Sequence, residues 1–298
     1  MKVVIYISIV ALGMLSFTSA AQEADSTKKW KFNGEAGLNF SQLSLTNWNA
    51  GGLSSVALNG LLKYNANYAF KASTWDNNFE AGYGFIRRDG ERTIKSDDRL
   101  VISSQYNKKW LKKNWSYSAL LNFNTQFIDG YNYPNESVAI SGFLAPAYMI
   151  YSAGISYKPS DNFSVMVSPI TGKTTIVNDT ALSAVGAFGV EAGDKIRSEF
   201  GAYLKGMYKV TLMENINLDT KLTLFSNYLN NPQNIDVNWQ TSISMKVNSL
   251  FSVSISTELI YDDDIAIAVD SNDDGITDAT GPRIQFKELL GVGISYKF

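Results

Sequence analysis

The sequence contains no cysteine and no histidine among its 298 residues. The lack of cysteine excludes a disulfide framework and an acylated lipoprotein anchor. The lack of histidine excludes Ser-His nucleophiles and histidine-ligated metal centres. A lipid hydrolase would be missing its usual base, so we expect a protein that is not an enzyme and has no catalytic residues or bound cofactor.

Long apolar runs are absent beyond the N-terminal segment. A membrane-spanning helix needs about 20 apolar residues, and no stretch after residue 21 approaches that length. The first 21 residues combine Lys2, an apolar run over residues 3–17, and the small residues Ala20 and Ala21. This pattern predicts a secretory signal peptide over residues 1–21, cleaved after Ala20 or Ala21 and exported through the Sec translocon. Residues 22–29 are expected to form a periplasmic tail.

Charge is scarce and nearly balanced. Charged residues make up 18% of the chain, with a net charge of −2, whereas ordinary soluble domains have roughly 25%. The sequence has no strong basic patch of the kind that binds nucleic acid. Aromatic residues reach 13%, which suits a chain whose outer face meets lipid.

What the sequence does contain is a period-two alternation of apolar and polar residues from Trp30 to Phe298. The tenth segment is the clearest, since Ile235, Val237 and Trp239 begin an apolar series that alternates with a polar one as far as Asn248. Alternating segments of about 10 residues are the unit of membrane-spanning barrels. We count twelve and predict an all-β, antiparallel, up-and-down transmembrane β-barrel over residues 30–298.

The predicted connections alternate in length, as periplasmic turns and external loops do in bacterial barrels. The short ones cover residues 71–74, 107–114, 158–162, 211–215 and 248–249. The long ones cover residues 41–54, 87–97, 128–142, 172–195, 229–234 and 262–283. Twelve strands with this order would place both termini in the periplasm and the barrel in the cell outer membrane.

Alternation alone does not identify the inner face, because a soluble periplasmic β-protein shows the same period. Aromatic residues gather at both predicted borders, for example Trp30 and Trp75 at one and Phe40 and Tyr261 at the other, which favours lipid outside. The opposite face is rich in Ser, Asn and Gln. It also carries a nearly balanced set of predicted lumen charges: Lys31, Glu35, Lys63, Asp76, Glu80, Arg99, Arg197, Glu199, Lys205, Asp219, Lys221, Asp236, Lys246 and Glu258.

Tyr296 and Phe298 end the last alternating segment. Alternating aromatic residues that finish on phenylalanine are typical of the signal that the barrel-assembly machinery reads. We therefore predict that these two residues are an assembly signal.

An acidic stretch in the last external loop has the spacing of a calcium loop. Asp270, Asn272, Asp274 and Asp278 stand at the first, third, fifth and ninth positions, and the Ile276 carbonyl stands at the seventh. The twelfth position is Gly281 instead of the usual bidentate glutamate. A weak calcium site and a solvated acidic loop both remain open.

Residues 168–175 contain the string Gly172-Lys173-Thr174, which superficially resembles a phosphate-binding loop. The earlier glycine of such a loop is missing, and no buried parallel strand precedes it. We expect a tight bend at the external end of the seventh strand instead.

Several strings resemble an uncharacterised family of Bacteroidetes outer-membrane proteins, domain of unknown function 3078. They are residues 37–42 with 47–52, residues 122–127, residues 168–175 and residues 285–298. The resemblance implies an outer-membrane β-barrel and brings no assigned activity.

Two functions are compatible with these features. One is a narrow channel for small polar solutes, in which Asn, Ser and Gln replace part of a solute's hydration and external loops control access. The other is a structural or assembly scaffold with a plugged lumen and partner-binding loops. The sequence does not choose between them.

The calcium hypothesis predicts saturable binding to the purified barrel, with a dissociation constant on the order of 10⁻⁴ to 10⁻³ M. Calorimetric titration should show this binding, and the double variant Asp270→Ala, Asp274→Ala should lose it because two carboxylate ligands are removed. Absence of saturable heat in the unmodified chain would leave only the solvated acidic loop.

Overall fold

Twelve antiparallel strands close into one barrel, in a computed structural model that describes residues 29–45, 53–110, 113–269 and 278–298. Each strand pairs with its neighbours in the sequence, and the last strand pairs with the first. This confirms the predicted fold class and strand number. The barrel strands are β1 (Trp30–Leu43), β2 (Ser55–Phe70), β3 (Ser73–Arg88), β4 (Thr93–Lys109), β5 (Trp115–Thr125), β6 (Ala147–Tyr157), β7 (Phe163–Ile176), β8 (Ile196–Met213), β9 (Ile216–Asn227), β10 (Ile235–Lys246), β11 (Phe251–Tyr261) and β12 (Gln285–Lys297).

Some predictions fall outside the described residues. The signal peptide over residues 1–21 and the tail over residues 22–28 lie there, as do Asp270, Asn272, Asp274 and Ile276 of the calcium hypothesis. Asp278 is described and is exposed. The signal peptide and the calcium site therefore stay predictions.

Among the described residues, helical structure is confined to one connection. In the described part of the chain, no helix is long and apolar enough to cross a membrane. The short helix α1 (Thr180–Ala184) begins where the Asp179 side chain accepts a hydrogen bond from the Leu182 N–H, a standard N-cap. A 3₁₀ turn (Ala187–Gly189) follows it.

The outer face of the barrel is apolar. Side chains that alternate outward remain exposed, among them Trp239 at 51%, Phe286 at 62% and Leu290 at 63%. Exposure of this kind on many neighbouring strands would be costly in water, since each large apolar side chain gains roughly 1.5–3 kcal/mol on burial. A hydrocarbon surround removes the cost, and a closed barrel leaves few free backbone groups to it.

Aromatic side chains form a belt at the end of the barrel where the strands are joined by short turns. Trp30 lies 5.1 Å from Tyr68 and 5.8 Å from Trp75 between ring centroids, and Trp115 lies 4.7 Å from Tyr157. Amphipathic rings of this kind prefer the border between lipid and water. We call this the turn end and the opposite end the loop end.

The connections alternate in length as predicted, with one exception. At the turn end they are short, down to residues 71–72 and 214–215. At the loop end, residues 126–146, 177–195 and 262–284 are long, but residues 89–92 form only a four-residue connection. The predicted long loop over residues 87–97 is therefore wrong, because β3 and β4 continue to pair up to Arg87 and Thr93.

Residues 168–175 lie inside β7 and do not form the predicted tight bend. Pairing slips by one residue at Pro169, on the β6 side between Val167 and Ile170 and on the β8 side between Ser168 and Thr171. A bulge accommodates a residue that has no N–H to donate. It also changes which residues point inward, so that Ser168, Thr171 and Lys173 all face the lumen and are buried.

The chain end takes part in closing the barrel. The Gly34 N–H donates to the Phe298 carbonyl at 2.7 Å, and the Phe298 N–H donates to the Gly34 carbonyl at 3.0 Å. The Phe298 ring covers Gly34, since a Cβ at Gly34 would lie 2.3 Å from Phe298 Cζ. Tyr296 stacks beside Phe298 with the ring centroids 6.0 Å apart.

We predict that Gly34→Val weakens barrel closure because the new side chain must displace the Phe298 ring. Heat-modifiable mobility on gels should show less folded barrel than for the control Gly37→Ala, whose added Cβ has its nearest neighbour at 3.9 Å. In a Phe298→Ala background, Gly34→Val should add no further loss. An equal loss in both backgrounds would show that the ring is not the cause.

Candidate functional site

The lumen has two unlike walls. Along β5–β9 many inward side chains are buried, and Leu120, Met166, Tyr203 and Phe225 form an apolar cluster inside the barrel. Along β10–β12 and β1 the inward positions are mostly small and polar, such as Ser242, and most are partly accessible. One side of the lumen is therefore packed, and the polar side chains on the other side are partly accessible to water.

Above the apolar cluster, at the loop end, Lys173 lies among three carboxylates. Its Nζ is 2.6 Å from Asp236 Oδ2, 2.9 Å from Asp262 Oδ2 and 3.6 Å from Glu199 Oε2. The same Nζ lies 5.4 Å from the centroid of the Phe225 ring, within cation–π range. A buried ammonium is stable only with such partners.

Arg197 extends this cluster to the surface loops. Its Nη2 pairs with Glu199 Oε1 at 2.6 Å and also with Asp264, and Asn227 donates to the same Glu199 oxygen at 3.3 Å. We call Lys173, Arg197, Glu199, Asp236, Asp262 and Asp264 the mouth network. Strands β7, β8 and β10 carry Lys173, Arg197, Glu199 and Asp236, whereas Asp262 and Asp264 follow the end of β11.

The mouth network has two cations and four carboxylates, so its net formal charge is −2. Asp236, Asp262 and Asp264 each offer an oxygen close enough to share a metal ion, with those atoms within 4.8 Å of one another. However, Lys173 already pairs with Asp236 and Asp262, and Arg197 pairs with Asp264. The arrangement is therefore a side-chain ammonium group, that of Lys173, surrounded by carboxylates.

A cap covers the mouth network from the loop end. Residues 177–195 contain α1 and pack Val177, Leu182 and Val190 against Ala145 of the neighbouring connection. Arg197 Nη1 donates to the Gly189 carbonyl at 3.1 Å. Gly189 has φ +80°, and a Cβ there would lie 2.3 Å from Arg197 Nη1, so this close approach requires glycine.

Two further bonds cross the lumen from β4. Lys205 Nζ on β8 donates to Gln105 Oε1 on β4 at 3.1 Å. Lys287 on β12 pairs with Asp97 on β4, and Asp97 also accepts from Asn59 Nδ2 at 3.2 Å. These bonds join strands that are four positions apart around the barrel.

The structure brings many of the predicted lumen charges together. Arg197, Glu199 and Asp236 meet in the mouth network, and Arg99 Nε lies 3.0 Å from Glu80 Oε1. The remaining contacts are local or lie near the turn end: Lys63 with Glu80 at 4.0 Å, Lys209 with Asp219 at 2.8 Å, Lys297 with Glu35 at 4.0 Å, and Glu258 with Asn238 and Gln240 at 3.1 and 2.7 Å. Lys31 and Lys246 are exposed.

Sequence reasoning missed Lys173, Asp97 and Lys287. Strict alternation from Met166 would turn Lys173 outward, and only the bulge at Pro169 turns it inward. The sequence did contain a sign of the bulge. Ser164 and Ser168 follow one alternation, and Thr171, Lys173 and Thr175 resume it after one extra residue. A proline at that slip is what marks the bulge.

A closed barrel with an apolar outer band and a charged interior defines a membrane-spanning β-barrel of the outer-membrane type. Residues 40–131 match the sequence model of a family described as a protein of unknown function, DUF3078. This agrees with the resemblance drawn from the sequence, although two of the strings that carried it, residues 168–175 and 285–298, lie beyond the match. Comparison with curated proteins gives no match.

Solved structures with a similar course of the chain are outer-membrane barrels. The COG4313 outer membrane channel from Pseudomonas putida F1 is 11% identical, with a TM-score of 0.40 over 90% of this chain and 95% of that one. The NanC porin is 10% identical, with a TM-score of 0.40 over 88% and 98%. The translocator domain of the autotransporter NalP from Neisseria meningitidis is 8% identical, with a TM-score of 0.35 over 91% and 89%. Similarity at this level says nothing about the role of this chain.

We predict that Lys173→Met destabilises the barrel by about 3–5 kcal/mol, since it leaves buried carboxylates without their cation. Lys209→Met is the matched control, because the Lys209–Asp219 pair is about half exposed and such pairs contribute about 0–1 kcal/mol. Urea unfolding in detergent micelles, followed by tryptophan fluorescence, measures both. Equal losses in the two variants would contradict the role given to Lys173.

Proposed function

We propose that this chain is a non-enzymatic outer-membrane β-barrel that conducts small polar solutes through a narrow lumen, and that the mouth network holds the loop end closed. The observation that supports this proposal most is the position of Lys173. It is buried beneath the cap and bound to carboxylates from three different segments. It stands where a solute moving along the partly accessible wall would leave the barrel. Separation of the network would be the opening step.

The mouth network and the cap are linked in a way that supports joint movement. Arg197 binds Glu199 inside the barrel and the Gly189 carbonyl in the cap. A displacement of the cap therefore pulls on Arg197 and weakens its hold on Glu199. Since the network carries excess negative charge, an open mouth should favour cations weakly over anions.

The alternative is a scaffold whose lumen stays plugged and whose loops bind partner proteins. The apolar cluster of Leu120, Met166, Tyr203 and Phe225 inside the barrel favours it, because a filled interior raises stability without leaving a path. The Lys205–Gln105 bond across the lumen supports it as well.

Location and biogenesis belong to the same proposal. The absence of histidine from the sequence supports a non-enzymatic role. The apolar outer band supports a membrane with outer-membrane lipid around it. β1 begins and β12 ends at the turn end, which supports periplasmic termini. We further propose export by the Sec translocon, assembly by the barrel-assembly machinery through Tyr296 and Phe298, and a Bacteroidetes source.

Single-channel recording in planar bilayers tests the proposal. We expect the unmodified barrel to be closed most of the time with brief, weakly cation-selective openings. Lys173→Met should lengthen the openings, because the tethered cation no longer holds the carboxylates together, and Lys209→Met should leave them unchanged.

Folding of each variant is checked first by heat-modifiable mobility. A barrel that is folded but silent in both the unmodified and the Lys173→Met forms would favour the scaffold. A steady, large conductance in the unmodified barrel would show that the mouth network does not close it.

A further inference from the structure

The seam between β1 and β12 is paired over only part of its length. Its register pairs run from Glu35 with Lys297 to Asn39 with Gly293. Toward the loop end no pair between these two described strands follows. If the same register continued, Phe40 would lie opposite Val292.

Both strands remain regular beyond this point on their other sides. β1 pairs with β2 as far as Leu43 opposite Ser55, and β12 pairs with β11 as far as Gln285 opposite Ile260. The gap is therefore confined to one seam. Its two edges are residues 40–43 of β1 and residues 289–292 of β12.

The outward side of the gap is apolar, and its lumen side carries Ser41 and Gly291 flanked by Leu43 and Leu289. Phe40, Leu290 and Val292 are 51%, 63% and 56% exposed, as lipid-facing side chains are. On the lumen side, Gly291 stands opposite Ser254 of β11. A narrow opening between these edges would connect the hydrocarbon directly with the partly accessible wall of the lumen.

Free backbone N–H and C=O groups cost several kcal/mol each in hydrocarbon. Such groups are tolerated at membrane depth only where they line a water-filled cavity or are buried in protein. Gly291 is buried, so protein covers this part of the lumen side. The Asn39 amide lies directly against Gly291, where a Cβ would be 2.7 Å from both Asn39 Cγ and Nδ2.

An ion pair crosses the lumen from the loop-end part of β12. Lys287, on the loop-end part of β12, pairs with Asp97 on β4. The bond reaches past β1, β2 and β3. A pull along this bond would draw the loop-end part of β12 toward the lumen axis and away from β1, which makes Lys287 the tether of this seam.

We propose that the gap is a lateral portal through which an amphiphile with an acyl chain passes between the lumen and the surrounding lipid. The acyl chain lies among Phe40, Leu290 and Val292, and the polar head lies on the lumen side beside the Asn39 amide, which is the polar group at Gly291. An amphiphile fits because the gap joins a polar lumen to hydrocarbon within one strand spacing. The portal does not depend on conduction along the barrel axis.

Disulfide trapping tests whether the gap exists in a membrane, and the chain has no native cysteine to interfere. In vesicles, Gln42→Cys with Leu290→Cys should cross-link on the order of tenfold more slowly than the control Leu38→Cys with Ile294→Cys, because distant Cα atoms cannot be bridged without backbone movement. The control residues are register partners in the closed half of the seam and also face lipid. Equal rates would overturn the proposal.

Adding Lys287→Met to the Gln42→Cys, Leu290→Cys chain tests the tether. The substitution keeps the length of the side chain and removes its charge. Cross-linking should rise toward the control rate. An unchanged rate would overturn the role given to Lys287.

Photolabelling tests the amphiphile. In phosphatidylcholine vesicles doped with a lipid that carries a diazirine on its acyl chain, label should reach the lumen-facing residues Ser254 and Ser256 as well as lipid-facing Trp239. Locking the Gln42→Cys, Leu290→Cys pair should cut the lumen label about tenfold and spare Trp239. Locking the Leu38→Cys, Ile294→Cys pair should spare both.

Lumen label that persists in the locked portal, or that is missing from the unmodified barrel, would overturn the proposal. The latter measurement requires no substitution, so a variant that fails to fold does not prevent the test. Label in a barrel that gives no conductance would retain the portal and reject only axial conduction.

Discussion

The need to pair every backbone N–H and C=O group in hydrocarbon governs this structure. It explains why the twelve strands pair into one barrel with alternate side chains in lipid and in the lumen. It also makes departures from pairing informative. Pro169 can be placed in β7 only because a bulge removes the requirement for its missing donor. The half-paired seam between β1 and β12 can persist only where lumen water or protein covers the free edges.

The interior obeys a second constraint, which is that buried charge must be compensated. Lys173 and Arg197 bring Glu199, Asp236, Asp262 and Asp264 together at the loop end, and they connect the cap to the strands. Beneath them the apolar cluster fills one wall, whereas short polar side chains line the other. The barrel therefore combines a rigid, packed side and a hydrated side that contains the seam.

Alternation was sufficient to predict twelve strands, their order and the outward face, because period-two patterning is a local property. It failed where an effect was not local. The four-residue connection at 89–92 depends on how far β3 and β4 pair, and the inward position of Lys173 depends on one inserted residue at the bulge. The partners of Lys287 and Lys205 lie 190 and 100 residues away in sequence, which no pattern along the chain reveals. The predicted charges of β8 and β10 were correctly assigned to the lumen, but their common meeting point required the closed barrel.

The two bonds that cross the lumen from β4 affect how the barrel deforms under force. Gln105 and Asp97 bond β4 to β8 and to β12 across the lumen, and the three strands are equally spaced around the barrel. A ring held by two chords from one point resists flattening along both of them, and any force on β8 or β12 is carried to the same strand. Because β4 is joined to β3 by a short connection and pairs with it along nearly its whole length, the β3–β4 hairpin works as the stiff spine against which the rest of the ring can deform.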